Sequence, residues 1–255
     1  MRDQVYVDSR PPEHFSRFHE RVRRGRPDWA YELVRLVLTP YLALFFRTRV
    51  IDSGKIPTRG PVIIAPNHFS FLDHFFLAIY LRRKVQFLAK SQLFKPPMQF
   101  IYSHGGVFPI QRGRRDEEAF KSAHAVLGRG DIVVMYAEGG RSRTGELGEP
   151  RPGLGRLALE SGATVVPTAI YGSEHARNWD RLQFPKVTVQ FGDPLRFERV
   201  EAPDREQAQE ASELVFDEIS RMYAALHRGG RRRAVRAARA ARRGAEVRGR
   251  RPATG

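Results

Sequence analysis

Residues 67–73 read Asn-His-Phe-Ser-Phe-Leu-Asp, with His68 five positions ahead of Asp73. An aspartate that accepts a bond from one imidazole nitrogen leaves the other nitrogen as a proton acceptor, which suits a general base. Whether the two side chains meet depends on the backbone between them. Inside one helix, five residues would set them about 140° apart. The flanking residues suggest otherwise. "PVIIAP" (61–66) reads as a strand, and "HFFLAIYL" (74–81) as the apolar body of a helix. Ser70 and Asp73 fit the Ser-x-x-acid capping pattern, so the helix is expected to start at Ser70 with His68 just ahead of it. There the ring can fold back onto Asp73. Capping alone also accounts for Ser70 and Asp73, so a structural turn and a base pair both fit this stretch. His74 reads as packing.

Three further stretches put polar residues just past strands. "GGVFPIQRG" (105–113) ends in Arg112, and "YAEGGRSRTGEL" (136–147) carries Glu138, Arg141 and Ser142 among glycines. "TVVPTAIYG" (164–172) breaks a strand with Pro167. In a mostly parallel sheet, residues at the C-terminal ends of strands gather along one edge, where ligands bind. His68, Asp73, Arg112, Glu138 and Arg141 all fall there by this reading.

The elements that must position them alternate. Strands are expected at 61–66, 85–89, 106–110, 131–137, 164–171 and 186–192, and helices at 70–82, 96–103, 115–130, 153–162 and 204–227. Several strands are apolar throughout, as strands covered on both faces are. The expected fold is α/β, a mostly parallel mixed sheet flanked by helices. Gly153 and Gly155 in "GLGRLALESG" read as packing rather than a nucleotide loop, because they follow a loop and lack the full glycine pattern.

Four regions follow. Residues 1–28 read as a polar arm without the apolar core of a secretory leader. Residues 29–50 hold "WAYELVRLVLTPYLALFF", an apolar segment with Glu32, Arg35 and Pro40 in it. That is too charged to span a bilayer, so it reads as a helix, broken near Pro40, lying either in a membrane interface, which the flanking aromatics and arginines favour, or on the domain as an ordinary core helix. Residues 51–227 form the main domain. Residues 228–255 carry eleven arginines against Glu246 alone, leaving about +10 of the formal +16 in the tail. With few apolar residues it is expected to be disordered. Such an arm suits anionic lipid. Nucleic acid is a poor fit, since no aromatics interleave the arginines. The chain has no cysteine, which excludes disulfides, thiolate metal sites and a cysteine nucleophile. Hydrophobic residues make up 41% and mean hydropathy is −0.46, so a packed core fits and a polytopic membrane protein does not. The histidines lack metal-ligand spacing, so no metal is expected.

The ordered set of stretches resembles the 1-acyl-glycerol-3-phosphate acyltransferases and their glycerolipid acyltransferase relatives. The family's Asn-His-x4-Asp looks like "NHFSFLD" (67–73), its Phe-containing strand ending in Arg like "VFPIQR" (107–112), its Glu-Gly-Thr-Arg-Ser like "EGGRS" (138–142), and its Val-Pro strand like "VVPTAI" (165–170). Gly140 stands where the family has Thr, which removes a hydroxyl and loosens the loop. The resemblance implies a glycerol-3-phosphate acyltransferase-like fold and acyl transfer from acyl-CoA or acyl-carrier protein, without a cofactor. The implied acceptor is the free sn-2 hydroxyl of 1-acyl-glycerol-3-phosphate, and the product phosphatidic acid. Another lysophospholipid or polyol acceptor, or thioester hydrolysis, are the alternatives. The implied base is His68, oriented by Asp73. Arg112 and Arg141 would hold the acceptor phosphate with Glu138, Gly139 and Ser142 around them, and Asn67, Ser70 and Pro167 in support. No Gly-x-Ser-x-Gly elbow suggests an acyl-enzyme. The implied setting is peripheral, on the cytoplasmic face of the plasma membrane.

Overall fold

A computed structural model describes residues 8–111, 116–142, 144–177 and 183–249. "VIIAP" supplies β2 (Val62–Pro66), every residue of it buried. Such a strand must lie inside a sheet with both faces covered, and it does. The sheet runs β1-β7-β6-β2-β5-β3-β4. The strands are β1 (Arg49–Ile51), β3 (Val85–Lys90), β4 (Val107–Ile110), β5 (Ile132–Val134), β6 (Thr164–Tyr171) and β7 (Thr188–Phe191). Neighbours are parallel except β6 and β7, which are antiparallel. The expected mostly parallel mixed sheet is the one observed.

Alternation along the strands splits the core in two. Val62 and Ile64 point into a cluster with Leu42, Phe76 and Phe46, covered by α2 (Trp29–Phe45) and α3 (Asp73–Ala78). Ile63 and Ala65 point the other way, toward Val22, Val126, Leu157 and Val215. Those residues belong to α1 (Ser16–Arg24), α5 (Glu117–Gly128), α6 (Pro152–Ser161) and α7 (Arg205–Gly249). A short α4 (Met98–His104) completes the helices described. Gly155 is where α6 meets α7 most closely: a Cβ there would collide with the carbonyl oxygen of Ala208, and its N–H donates to Ser212 Oγ at 2.8 Å. Gly155 therefore serves packing.

The structure departs from the sequence reading in several places. Residues 12–24 are no loose arm: Phe15, Phe18 and Val22 form a buried stripe, and the two phenylalanines pack on Phe94. Charged neighbours mask that stripe in the sequence. β1 is three residues long and begins with an exposed arginine, too short for a period to show. Strand β5 stops at Val134 and α3 covers only Asp73–Ala78. Helix α2 continues through Pro40, with the Thr39 hydroxyl bonded to the Arg35 carbonyl at 2.6 Å. The expected disordered tail is helical as far as Gly249, after a break at Gly230 with φ 65°. Alanine and arginine both favour helix. Arg231 also anchors it, donating to Thr188 Oγ1, the Arg47 carbonyl and the Val187 carbonyl at 2.6–2.9 Å. Residues 250–255 lie outside the described residues.

The outer face of α2 stays apolar and uncovered, with Leu36 and Leu44 each more than 70% exposed beside Trp29, Leu33 and Val37. Phe100 and Ile101 of α4 are exposed as well. Among the described residues, no helix is long and apolar enough to cross a membrane.

Candidate active site

Strands β2 and β5 are neighbours, so the residues that follow them meet at one sheet edge. The turn after β2 brings His68 Nδ1 to 2.9 Å from Asp73 Oδ2. The same oxygen accepts the N–H groups of Phe69 and Ser70 at 2.7 and 2.8 Å. Two backbone donors mark that oxygen as an acceptor, so the shared proton sits on Nδ1 and Nε2 is left as the acceptor nitrogen of the ring. The Ser70 hydroxyl accepts from Leu72 N at 3.2 Å, and Asp73 is the first residue of α3. Ser70 therefore does not cap the helix as the sequence suggests: α3 starts three residues later behind Leu72, which makes no side-chain cap bond, and the Ser70–Asp73 contacts close the turn ahead of it. Asp73 is entirely buried, and among the described residues its Oδ1 has no hydrogen-bond partner.

Tyr136, just past β5, stacks its ring on the His68 ring, with centroids 3.8 Å apart and planes 21° from parallel. Sequence reasoning missed it; an aromatic two residues before the candidate acid was the only hint. Burial and, secondarily, the Asp73 charge push the Tyr136 hydroxyl well above its ordinary range, so it stays neutral. His74 lies among the rings of Phe71, Phe75 and Phe87. Burial, then the charges of His68 and Arg141, drops its pKa to about 3. A histidine that stays uncharged at neutral pH packs well there.

Glu138 differs from the sequence reading. It is buried, and both its oxygens turn inward: Oε1 accepts His68 N–H at 3.0 Å and Oε2 accepts Gly148 N–H at 3.2 Å. Burial raises its pKa to about 7, against the pull of those two bonds. Ser142 meets His68 too, its N–H donating to the His68 carbonyl at 2.9 Å while its hydroxyl bonds Thr144. Gly139 sits at φ 63° in a turn, and its N–H is used by the Tyr136 carbonyl. The Glu138 carboxyl oxygens and the Gly139 N–H are thus already engaged by main-chain groups. Arg141 is exposed on this loop. Arg112 lies outside the described residues.

Asn67 and Pro167 act on the frame. The Asn67 side chain exchanges two bonds with the Ile170 backbone, at 2.7 and 3.0 Å, and so extends the β2–β6 ladder one step past the strand. Pro167 pairs with Ala65, and its carbonyl accepts from Gly192 at 2.8 Å.

The paired histidine and aspartate and the exposed arginine all lie within a sequence match. Residues 47–171 match the acyltransferase family. The segment 47–171 belongs to the acyltransferase family. Over 133 residues the chain is 29% identical to a chloroplastic 1-acyl-sn-glycerol-3-phosphate acyltransferase of Arabidopsis thaliana, covering 51% of this chain and 37% of the relative. Over 149 residues it is 32% identical to human 1-acyl-sn-glycerol-3-phosphate acyltransferase beta, covering 56% and 53%. The chain thus spans between a third and about half of the length of these curated relatives. The crystal structure of the 1-acyl-sn-glycerophosphate (LPA) acyltransferase PlsC from Thermotoga maritima shares the fold, with a TM-score of 0.55 at 20% identity over 82% of this chain and 88% of that chain.

Proposed function

We propose that the acyltransferase moves a fatty acyl group from acyl-CoA or acyl-carrier protein to the sn-2 hydroxyl of 1-acyl-glycerol-3-phosphate, giving phosphatidic acid. The observation that carries the reading is the His68–Asp73 pair at 2.9 Å on a strand edge, with an exposed arginine on the adjoining loop. In this mechanism His68 Nε2 takes the proton as the hydroxyl oxygen attacks the thioester carbon. Asp73 stabilises the imidazolium that results. The C–S bond then breaks, and the thiolate leaves with the proton returned from His68. Arg141, and Arg112 after β4, pair with the acceptor phosphate, where a guanidinium fork fits well. The similarity to 1-acyl-sn-glycerol-3-phosphate acyltransferases supports this acceptor.

Long-chain substrates place the reaction at a bilayer. The apolar outer face of α2, with Phe100 and Ile101, suits insertion at the interface, and the exposed arginines of the last helix suit anionic lipid. The setting is a peripheral one on the cytoplasmic face of the plasma membrane.

A panel of lysolipid and polyol acceptors, run with one acyl-CoA beside His68→Ala, tests this. CoA release should depend on the acceptor, be fastest with lysophosphatidate, and fall by at least ~100-fold in the variant. Equal CoA release without any acceptor would identify a hydrolase instead.

A further inference from the structure

The Glu138 carboxyl is buried, and among the described residues no arginine or lysine is bonded to it. Its two oxygens hold two main-chain N–H groups, those of His68 and Gly148. The Gly148 contact closes residues 139–147 into a loop with Glu138 at its base. A Cβ on Gly148 would press against Oε2 at 3.0 Å, so glycine permits that approach. Within the loop, the Ser142 N–H grips the His68 carbonyl. The His68 residue is therefore held on both sides by the segment that bears Arg141.

We infer that Glu138 is a positioning residue, which fixes the His68 main chain to the Arg141 loop and does not touch the acceptor. This rests on the reading of His68 as base and Arg141 as phosphate ligand. An inward-turned carboxylate also removes a repulsion that an acid facing a phosphate would create. The geometry couples the two halves of the reaction: the loop that meets the acceptor and the base that deprotonates it move as one body. Chemistry at His68 is sensitive to such placement, since a misplacement of about 1 Å costs roughly 100-fold in rate.

The titratable and charged groups around Glu138 are His68, Asp73 and Tyr136 at the sheet edge, and Tyr223 of α7, whose own pKa responds to Glu138. Retaining a carboxylate where burial opposes its charge costs stability. The neutral variant therefore separates a role in positioning from a role in folding.

Glu138→Gln and Glu138→Ala are compared with the parent, full length, at pH 8, using acyl-CoA and lysophosphatidate. We expect kcat to fall by about tenfold in the glutamine variant and ~100-fold in the alanine variant, with acceptor KM within about threefold. The urea midpoint of Glu138→Gln should equal or exceed that of the parent. Hydrogen exchange at the His68 amide should quicken at least ~10-fold in both variants. A rise in acceptor KM at constant kcat would make Glu138 an acceptor ligand and overturn the inference. Unchanged His68 exchange would overturn it too. That exchange needs no turnover, so it still judges the clasp if the parent fails to acylate lysophosphatidate and the proposed function falls.

Discussion

Replacing Asp73 by Asn separates charge from geometry at the base. All three donors converge on one oxygen, Oδ2, so an asparagine that puts its carbonyl there keeps every bond. Its NH2 takes the place of Oδ1, which makes no hydrogen bond among the described residues. The reverse flip would aim the NH2 at three donors and is excluded. The turn therefore survives at a cost of about 1–3 kcal/mol for a buried unpaired amide, offset in part by the charge removed. Catalysis loses the carboxylate that stabilises the imidazolium. Charges about 4 Å apart at an effective dielectric near 20 interact by ~4 kcal/mol. At 1.36 kcal/mol per decade this corresponds to roughly a 1,000-fold fall in kcat. Initial rates at saturating acceptor measure it, with acceptor KM and the urea midpoint taken on the same preparations. The reasoning fails if the folded variant keeps more than about a tenth of the parent rate, because Asp73 would then be a cap and nothing more.

The raised pKa of Glu138 makes stability depend on pH. Its folded value of about 7 exceeds the ordinary 4.5, so between these the folded chain binds more protons and stability falls as pH rises. The group's share, about 3 kcal/mol from the two pKa values, is present below pH 4.5 and gone by about 7; urea titrations should show a flatter slope in Glu138→Gln. Gly155→Ala forces α6 and α7 apart and should lower the urea-derived stability by about 1–3 kcal/mol; an unchanged midpoint would show the helices can give way. The double change Leu36→Glu with Leu44→Glu on the exposed face of α2 should weaken sedimentation with anionic vesicles by ~10-fold or more while leaving the circular dichroism spectrum as in the parent. Retained binding would assign membrane contact elsewhere.

The residues that could be read along the chain are those whose relation is local. His68 and Asp73 are five apart across one turn, and the strand before and helix after them declare where that turn is. The uninterrupted apolar run of β2 announced a strand covered on both faces. The alternation of strands and helices set the parallel sheet, and the acids of α5 and the glycines after it marked its ends. Where charge hides the pattern, as around Phe15, Phe18 and Val22, the helix went unread. The arginine-rich tail looked too polar to order, yet three bonds from Arg231 and a helix-forming composition hold it.

Sequence alone thus determined which side chains were available and on which strand ends they would emerge, because periodicity and turn chemistry act over a few residues. The tertiary structure decided their partners. Pairing of β2 with β5 brought Tyr136 onto the His68 ring and turned Glu138 to the His68 N–H, 70 positions away. No local rule relates residues so far apart; only the register of two neighbouring strands does.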